Sequence, residues 1–231
     1  MSDRGPTPGG GEIDRPLPTV FIVDDDASVR KALERLITSV GLRAETFGQA
    51  SEFLDRAPAD EHGCLLLDIR MPNMSGLELQ GRLHDAAIEL PVIVLSAHTD
   101  VPITVRAMKA GAFDVLLKPF QDQSLLDAVQ KAIDADAVRH RELAQHRQLR
   151  QRYETLTPRE RTVMAFVVAG NLNKQVADLM GTSEKTVKVH RARVMAKMQA
   201  SSLPHLVRQA DRLNLIVELP ASYAMVVPKV Q

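Results

Sequence analysis

The 231-residue chain has one cysteine, Cys64, no tryptophan and two tyrosines, and aromatic residues make up only 3% of it. A single thiol excludes an internal disulfide framework and any zinc or iron–sulfur centre built from several cysteines. No apolar run approaches the roughly 18 residues that a membrane-spanning helix needs. The opening stretch MSDRGPTPGGGEIDRPLP has no apolar core segment, so the expectation is no secretory signal and a cytoplasmic location. Neither charge sign is in excess, with 29 Lys/Arg against 29 Asp/Glu. Hydrophobic residues nevertheless reach 45%, enough to bury a sizeable core, which excludes bulk disorder.

The zero net charge conceals a segregation. Residues 1–138 carry 13 Lys/Arg and 22 Asp/Glu, and residues 139–213 carry 15 Lys/Arg and 6 Asp/Glu. An acidic module is therefore joined to a basic one, and the basic one suits a polyanion. The alternative is a solvated charged linker, because Arg139, Arg141, Arg147, Arg150 and Arg152 crowd one stretch.

Residues 1–18 read as a disordered Pro/Gly-rich tail. Four short, mainly apolar runs follow, TVFIV (19–23), GCLLLD (63–68), PVIVLS (91–96) and DVLL (114–117), and RAETF (43–47) reads as a further strand between the first two. Helical patterns separate them at 28–41, 50–57, 75–86 and 101–111, the third opened by a Ser75/Glu78 capping box. Continuous apolar strands alternating with helices predict a doubly wound α/β domain with a five-stranded parallel sheet. In such a sheet the site lies at the carboxyl ends of the strands. Asp24, Asp25, Asp68, Ser96 and Lys118 occupy those ends and are expected to converge on one crevice. Met71, Met74 and Met108 read as packing residues, His98 as a crevice-mouth or loop residue, and Cys64 as an inert core thiol.

Three clustered carboxylates repel one another unless a cation neutralises them. Hard oxygen ligands with one open side suit Mg²⁺, which keeps waters and accepts a phosphate oxygen. A lysine and a hydroxyl at the same point suit the remaining oxygens of a phosphoryl group. No base, glycine-rich phosphate loop or nucleotide pocket accompanies them. The set fits in-line phosphoryl transfer onto a carboxylate.

Residues 19–138 resemble a response-regulator receiver domain of the flavodoxin-like fold. The motifs that carry the resemblance are IVDDD (22–26), LLLDIRMPNMSGLEL (65–79), VLSAH (94–98) and AMKAGAFDVLLKPF (107–120). The resemblance implies that Asp68 is the phospho-acceptor and that Asp24, Asp25, Asp68 and the Arg70 backbone carbonyl bind Mg²⁺ or Mn²⁺. It further implies that Ser96 and Lys118 contact the phosphoryl group, that Lys118–Pro119 is cis, and that a sensor histidine kinase is the donor. The chain departs from the family pattern at Val115, where an aromatic usually precedes the lysine by three residues; Phe113 lies on the same strand face at its other end.

Residues 121 to about 153 read as one long helix or two joined ones, with RHRELAQHRQLRQRYE too polar for a core. That stretch is a solvated connector or a weak dimer seam through Leu143, Leu149 and Leu156. Thr157-Pro158-Arg159-Glu160 then opens a new helix. Helices are expected at 158–169, 173–180, 184–198 and 202–213, a small all-α domain, with a tail at 214–231. The pair 173–180 and 184–198, broken at Gly181, is a helix-turn-helix pattern. Val187, Val194 and Met198 face a core with Val176, Leu179 and Met180, while Lys185, Lys188, Arg191, Ala192 and the flank of Lys197 form the opposite face. Such a helix enters a major groove. Lys174 at the start of the preceding helix suits a phosphate. A protein-binding domain with a basic surface is the competing reading.

Residues 155–213 resemble the LuxR-type helix-turn-helix, through LTPRERTVMAFVVAGNLNKQVA (156–177) and TVKVHRARVMAKM (186–198). Receiver plus this domain is the pattern of FixJ/NarL response regulators. The resemblance implies base-facing positions at Lys188, Val189 and Ala192. It places backbone or nearby contacts at Lys174, Lys185, Thr186, His190, Arg191 and Arg193, and a dimer contact in the last helix through Leu203, Leu206, Val207, Ala210 and Leu213. The expected arrangement is a disordered tail at 1–18, a receiver at 19–138, a helical linker at 139–154, a DNA-binding domain at 155–213 and a tail at 214–231. The expected partners are a sensor kinase, double-stranded promoter DNA, RNA polymerase and a second copy after phosphorylation, with no membrane. The rival functions are a Mg²⁺-dependent aspartyl-phosphate phosphatase and a phosphorylation-controlled protein-binding switch. Against the first, Arg70 stands two residues after Asp68, where a second acid–base aspartate is wanted.

Overall fold

The computed structural model describes residues 17–56, 58, 61–96 and 101–215. The terminal tails and His98 lie largely or wholly outside them. The chain forms two compact units, Met1–His140 and Arg141–Gln231.

In the first unit the order is β1 (Thr19–Val23), α1 (Ala27–Ser39), β2 (Arg43–Phe47), α2 (Ala50–Arg56), β3 (Gly63–Asp68), α3 (Gly76–Asp85), β4 (Val92–Ser96), α4 (Val101–Lys109) and β5 (Asp114–Leu117). A long helix, α5 (Asp122–Glu154), follows. The strands form one parallel sheet in the order β2-β1-β3-β4-β5. The strand order reverses between β1 and β3, and their register sets Val23 beside Leu67. Asp24 and Asp68 therefore leave the sheet side by side at the switch point.

Side chains alternate across the sheet as the pleat demands. Phe21, Val23, Leu65, Leu67, Val92 and Val94 join Phe53 and Leu79 on one face. Val20, Ile22, Cys64, Leu66, Ile93 and Leu95 join Ile37, Leu125 and Val129 on the other. Both faces are covered, which is why β1, β3 and β4 read as unbroken apolar runs. Burial pushes the Cys64 thiol up to about 12, so it is an inert core residue. Met71 and Met74 pack against the first core layer, as expected, but Met108 is exposed. Phe113 precedes β5 instead of lying within it, and is exposed too.

The second unit contains the end of α5 and α6 (Pro158–Val168), α7 (Asn173–Met180), α8 (Glu184–Lys197) and α9 (Leu203–Arg212). Their shared core includes Val163, Phe166, Val176, Val187, Val194, Met198 and Leu206. The end of α5 is not simply a solvated connector. Leu149 is 7% exposed and packs in this core with Tyr153 and Leu156, whereas Leu143 is exposed. Among the described residues no helix is long and apolar enough to cross a membrane.

Candidate functional site: an acidic crevice and a basic helix

The crevice is assembled at the carboxyl ends of the strands, from Asp68 and Ser96 as the last residues of β3 and β4 and from Asp24 and Lys118 just after β1 and β5. Asp24 is 2% exposed and Asp68 6%, and Lys118 reaches between them. Its Nζ donates to Asp24 Oδ2 at 2.8 Å and to Asp68 Oδ1 at 2.7 Å. Asp68 Oδ2 accepts the Arg70 N–H at 2.6 Å, and Asp24 Oδ1 accepts the Asp26 N–H at 2.9 Å. The Arg30 guanidinium donates to the Asp24 carbonyl at 2.6 Å and fixes that turn. Asp25 is exposed at the rim. Asp26 is a helix cap, accepting the N–H groups of Ser28 and Val29, which hold its carboxyl below the usual range.

Ser96 is buried at the end of β4, and its carbonyl accepts the Lys118 N–H at 2.7 Å. That bond brings the lysine into the crevice, and the Lys118–Pro119 peptide is cis. Gly76 closes the turn after Asp68. A Cβ there would lie 2.2 Å from the Asp68 carbonyl oxygen, so only glycine fits without displacing the turn. The Ser75/Glu78 capping box forms, with Glu78 Oε2 accepting the Ser75 N–H at 2.8 Å.

Burial pushes the Asp68 carboxyl upward, opposed by the Lys118 hydrogen bond and reinforced by the charge of Asp24. Burial alone would lower Lys118, but its bonds to Asp24 and Asp68 prevail and hold the ammonium above its usual value. Two carboxylates and a backbone turn with exposed Asp25 beside it form a hard-oxygen donor set compatible with Mg²⁺. Lys118 is the cation that balances them in this structure.

The basic surface is built on α7 and α8. Gly181 ends α7 in the left-handed conformation at φ 60°, which an L side chain resists. Ser183 then caps α8 by accepting the Thr186 N–H at 3.1 Å, and the two hydroxyls lie 2.9 Å apart. Val187 and Val194 point into the core. Lys185, Thr186, Lys188, Val189, Ala192 and Arg193 are exposed, with His190 and Arg191 half-buried beside them. Lys188 pairs with Glu184 at 3.0 Å, and Arg191 donates to Asn173 Oδ1 at 3.1 Å, tying α8 to the start of α7. Lys174 is exposed on that same turn.

One expectation is corrected. Lys197 does not flank the basic face: its Nζ lies 2.6 Å from Glu160 Oε2 and 2.9 Å from the Thr155 carbonyl, locking α8 to the capping box of α6. The apolar stripe of α9 is mostly spent inside its own unit, since Leu206, Ala210 and Leu213 are buried there and only Leu203 and Val207 are partly exposed. Sequence reasoning missed Arg30 and Gly76 at the crevice. The glycine spacing after Asp68 was the available signal for the second, and nothing local marks the first.

Comparison with known proteins agrees with both halves. Residues 20–130 match the response regulator receiver domain, and residues 154–210 match the bacterial regulatory proteins of the luxR family. The chain is 46% identical over 196 residues to Nodulation protein W of Bradyrhizobium diazoefficiens, covering 85% of this chain and 86% of that one. It is 46% identical over 192 residues to Transcriptional regulatory protein FixJ of Rhizobium meliloti, covering 83% and 94%. The solved response regulator StyR superposes with a TM-score of 0.79 at 46% identity, over 85% of this chain and 100% of that one. The chain therefore belongs to the two-component response regulators that join a receiver domain to a LuxR-type DNA-binding domain, and it is a transcriptional regulator of that class.

Proposed function

We propose that Asp68 accepts a phosphoryl group from a phosphohistidine on a sensor kinase, and that this modification controls DNA binding by α8. The observation that carries the reading is the double ion pair of Lys118 with Asp24 and Asp68 at the mouth of the sheet. A carboxylate oxygen of Asp68 forms the new P–O bond as the P–N bond to the kinase histidine breaks. The leaving imidazole takes up a proton. Asp68 reacts as its carboxylate, to which the Lys118 ammonium donates a hydrogen bond. The residues that would hold Mg²⁺, or Mn²⁺, are Asp24, Asp25, Asp68 and the Arg70 carbonyl; the ion supplies charge neutralisation for the phosphoryl oxygens. Lys118 and the Ser96 hydroxyl take the other oxygens. The same chemistry accounts for self-phosphorylation from a small phosphodonor and slow loss of the group, with no further enzymatic activity.

The switch works without a ring at Val115, which packs against the first core layer. Val105 and Met108 on α4, Phe113 just before β5 and Leu117 at its end are exposed apolar residues. Phosphorylation favours pairing of two copies through these residues, biasing an existing equilibrium. A dimer presents two α8 helices to a two-fold promoter site. Lys188, Val189 and Ala192 face the bases, while Lys174, Lys185, Thr186, His190, Arg191 and Arg193 lie against or near the backbone. RNA polymerase is the downstream partner, and the cytoplasm is the place of action. The domain limits remain those of the sequence reading: receiver 19–138, linker 139–154 and DNA-binding domain 155–213, with tails at 1–18 and 214–231.

Intact mass spectrometry after incubation with acetyl phosphate and Mg²⁺ tests the site. One added phosphoryl group on the wild type and none on Asp68→Asn is the expected result. An equally modified Asp68→Asn protein overturns the assignment.

A further inference from the structure

A second cluster of donor groups lies at the other end of the sheet, before β3 begins. His62 precedes β3, and Asp136 and His140 lie one turn apart on the same side of α5. One ring nitrogen from each histidine and one oxygen of Asp136 fall within 4.8 Å of one another. The Asp136 side chain is 0% exposed, while those of His62 and His140 are 23% and 31% exposed. A small ion can thus enter from solvent and meet a buried carboxylate.

The surroundings already orient that carboxylate. Its Oδ2 accepts the Gly63 N–H at 2.9 Å, and its Oδ1 accepts Arg139 Nε at 3.0 Å and Nη2 at 2.7 Å. Metal-binding carboxylates are held by such outer hydrogen bonds. Arg139 is itself balanced by Glu89 Oε2 at 2.7 Å from Nη1, so the neighbourhood is not left with an uncompensated cation.

We propose that His62, Asp136 and His140 form a binding site for a divalent transition-metal ion of the Zn²⁺ class, outside the phosphorylation site and independent of its assignment. Two imidazoles and one carboxylate are a borderline nitrogen–oxygen donor set, suited to Zn²⁺, Co²⁺ or Ni²⁺ and not to Mg²⁺. Three protein ligands leave a fourth position for water. Tetrahedral ligands at about 2.0–2.1 Å from one ion stand roughly 3.3 Å apart. His140 Nε2 and Asp136 Oδ2 are 3.6 Å apart, too far for a hydrogen bond and close to that spacing. His62 Nδ1 and Asp136 Oδ2 are 2.6 Å apart, a proton-bridged distance that must open as the ion replaces the proton. His140 must also give up its 3.2 Å contact with Arg139 Nη2, which keeps its bonds to Asp136 Oδ1. The bound ion ties the 136–140 turn of α5 to the start of β3.

The test is calorimetric titration of the untagged full chain with Zn²⁺ in saturating Mg²⁺, alongside thermal melts. The wild type is expected to bind about one equivalent and to melt higher with Zn²⁺. His62→Gln and His140→Gln are expected to bind at least about tenfold more weakly and to lose the shift. Because the His140 side chain is 31% exposed and stands 3.6 Å from Asp136 Oδ2, beyond hydrogen-bond distance, its variant decides the matter if His62→Gln does not fold. No Zn²⁺ binding by the wild type, or equal binding by wild type and His140→Gln, overturns the proposal and leaves the cluster a clamp between α5 and β3.

Discussion

The ammonium of Lys118 lies 2.7 Å from Asp68 Oδ1, and the same Nζ holds Asp24 Oδ2 at 2.8 Å. One cation therefore balances two carboxylates that are both almost wholly buried. Lys118→Ala leaves them facing each other. Its expected cost is on the order of 3 kcal/mol in Mg²⁺-free buffer, because a buried charge loses its partner. Mg²⁺ then binds the variant more tightly than the wild type and restores much of the loss. Thermal melts across a Mg²⁺ titration check both signs.

Gly76→Ala places a methyl group where the Asp68 carbonyl oxygen stands, 2.2 Å away. Backbone cannot yield as a flexible side chain does. The variant is expected to lose about 1–3 kcal/mol, the usual cost of overpacking. It is also expected to take up phosphoryl groups more slowly, as the turn beside Asp68 shifts. Denaturant melts and the rate of acetyl phosphate labelling measure the two effects.

Glu160 gives the helical unit an acid sensitivity. The Lys197 hydrogen bond and then the Thr157 N–H hold its carboxyl down to about 2, from 4.5. A depressed acid stabilises the fold above its unfolded value. That contribution is whole above about pH 4.5 and is lost as the pH falls towards 2. Glu160→Gln is expected to melt lower at neutral pH and to show a flatter pH dependence in this window. Calorimetry of both proteins from neutral pH downward gives the comparison.

At α8 the exposed positions divide by chemistry. Lys185→Ala removes a candidate phosphate contact, so it weakens binding to all sequences alike and reduces the salt slope by about 1. Val189→Ala removes an exposed apolar group at a base-facing position, and its effect is expected to depend on the base pair beneath it. Binding isotherms at several salt concentrations, on a selected site and its single-base variants, separate the two.

Much of the fold was legible because its three central strands are buried on both faces. TVFIV and GCLLLD begin and end where β1 and β3 do, since a buried run stops where the sheet meets solvent, and DVLL matches the edge strand β5 although that strand is only partly buried. The crevice was legible for the same reason: polar residues directly after apolar runs must converge at one end of a parallel sheet. Lys197 was not, because helical spacing gives its angle on α8 but not the Glu160 carboxylate 37 residues earlier that draws it inward. The division of the α9 stripe was not legible, because an apolar face looks alike whether a neighbouring helix or a second copy covers it. His62 and Asp136 stand 74 positions apart, with nothing local to join them.

Sedimentation velocity of the full chain, with Mg²⁺ and with or without acetyl phosphate, tests the central claim most directly. The wild type is predicted to move from monomer to dimer when Asp68 is phosphorylated, in step with tighter binding to a two-fold DNA site, and Asp68→Asn is predicted to do neither. A phosphorylated wild type whose association state and DNA affinity both match those of Asp68→Asn would contradict the account.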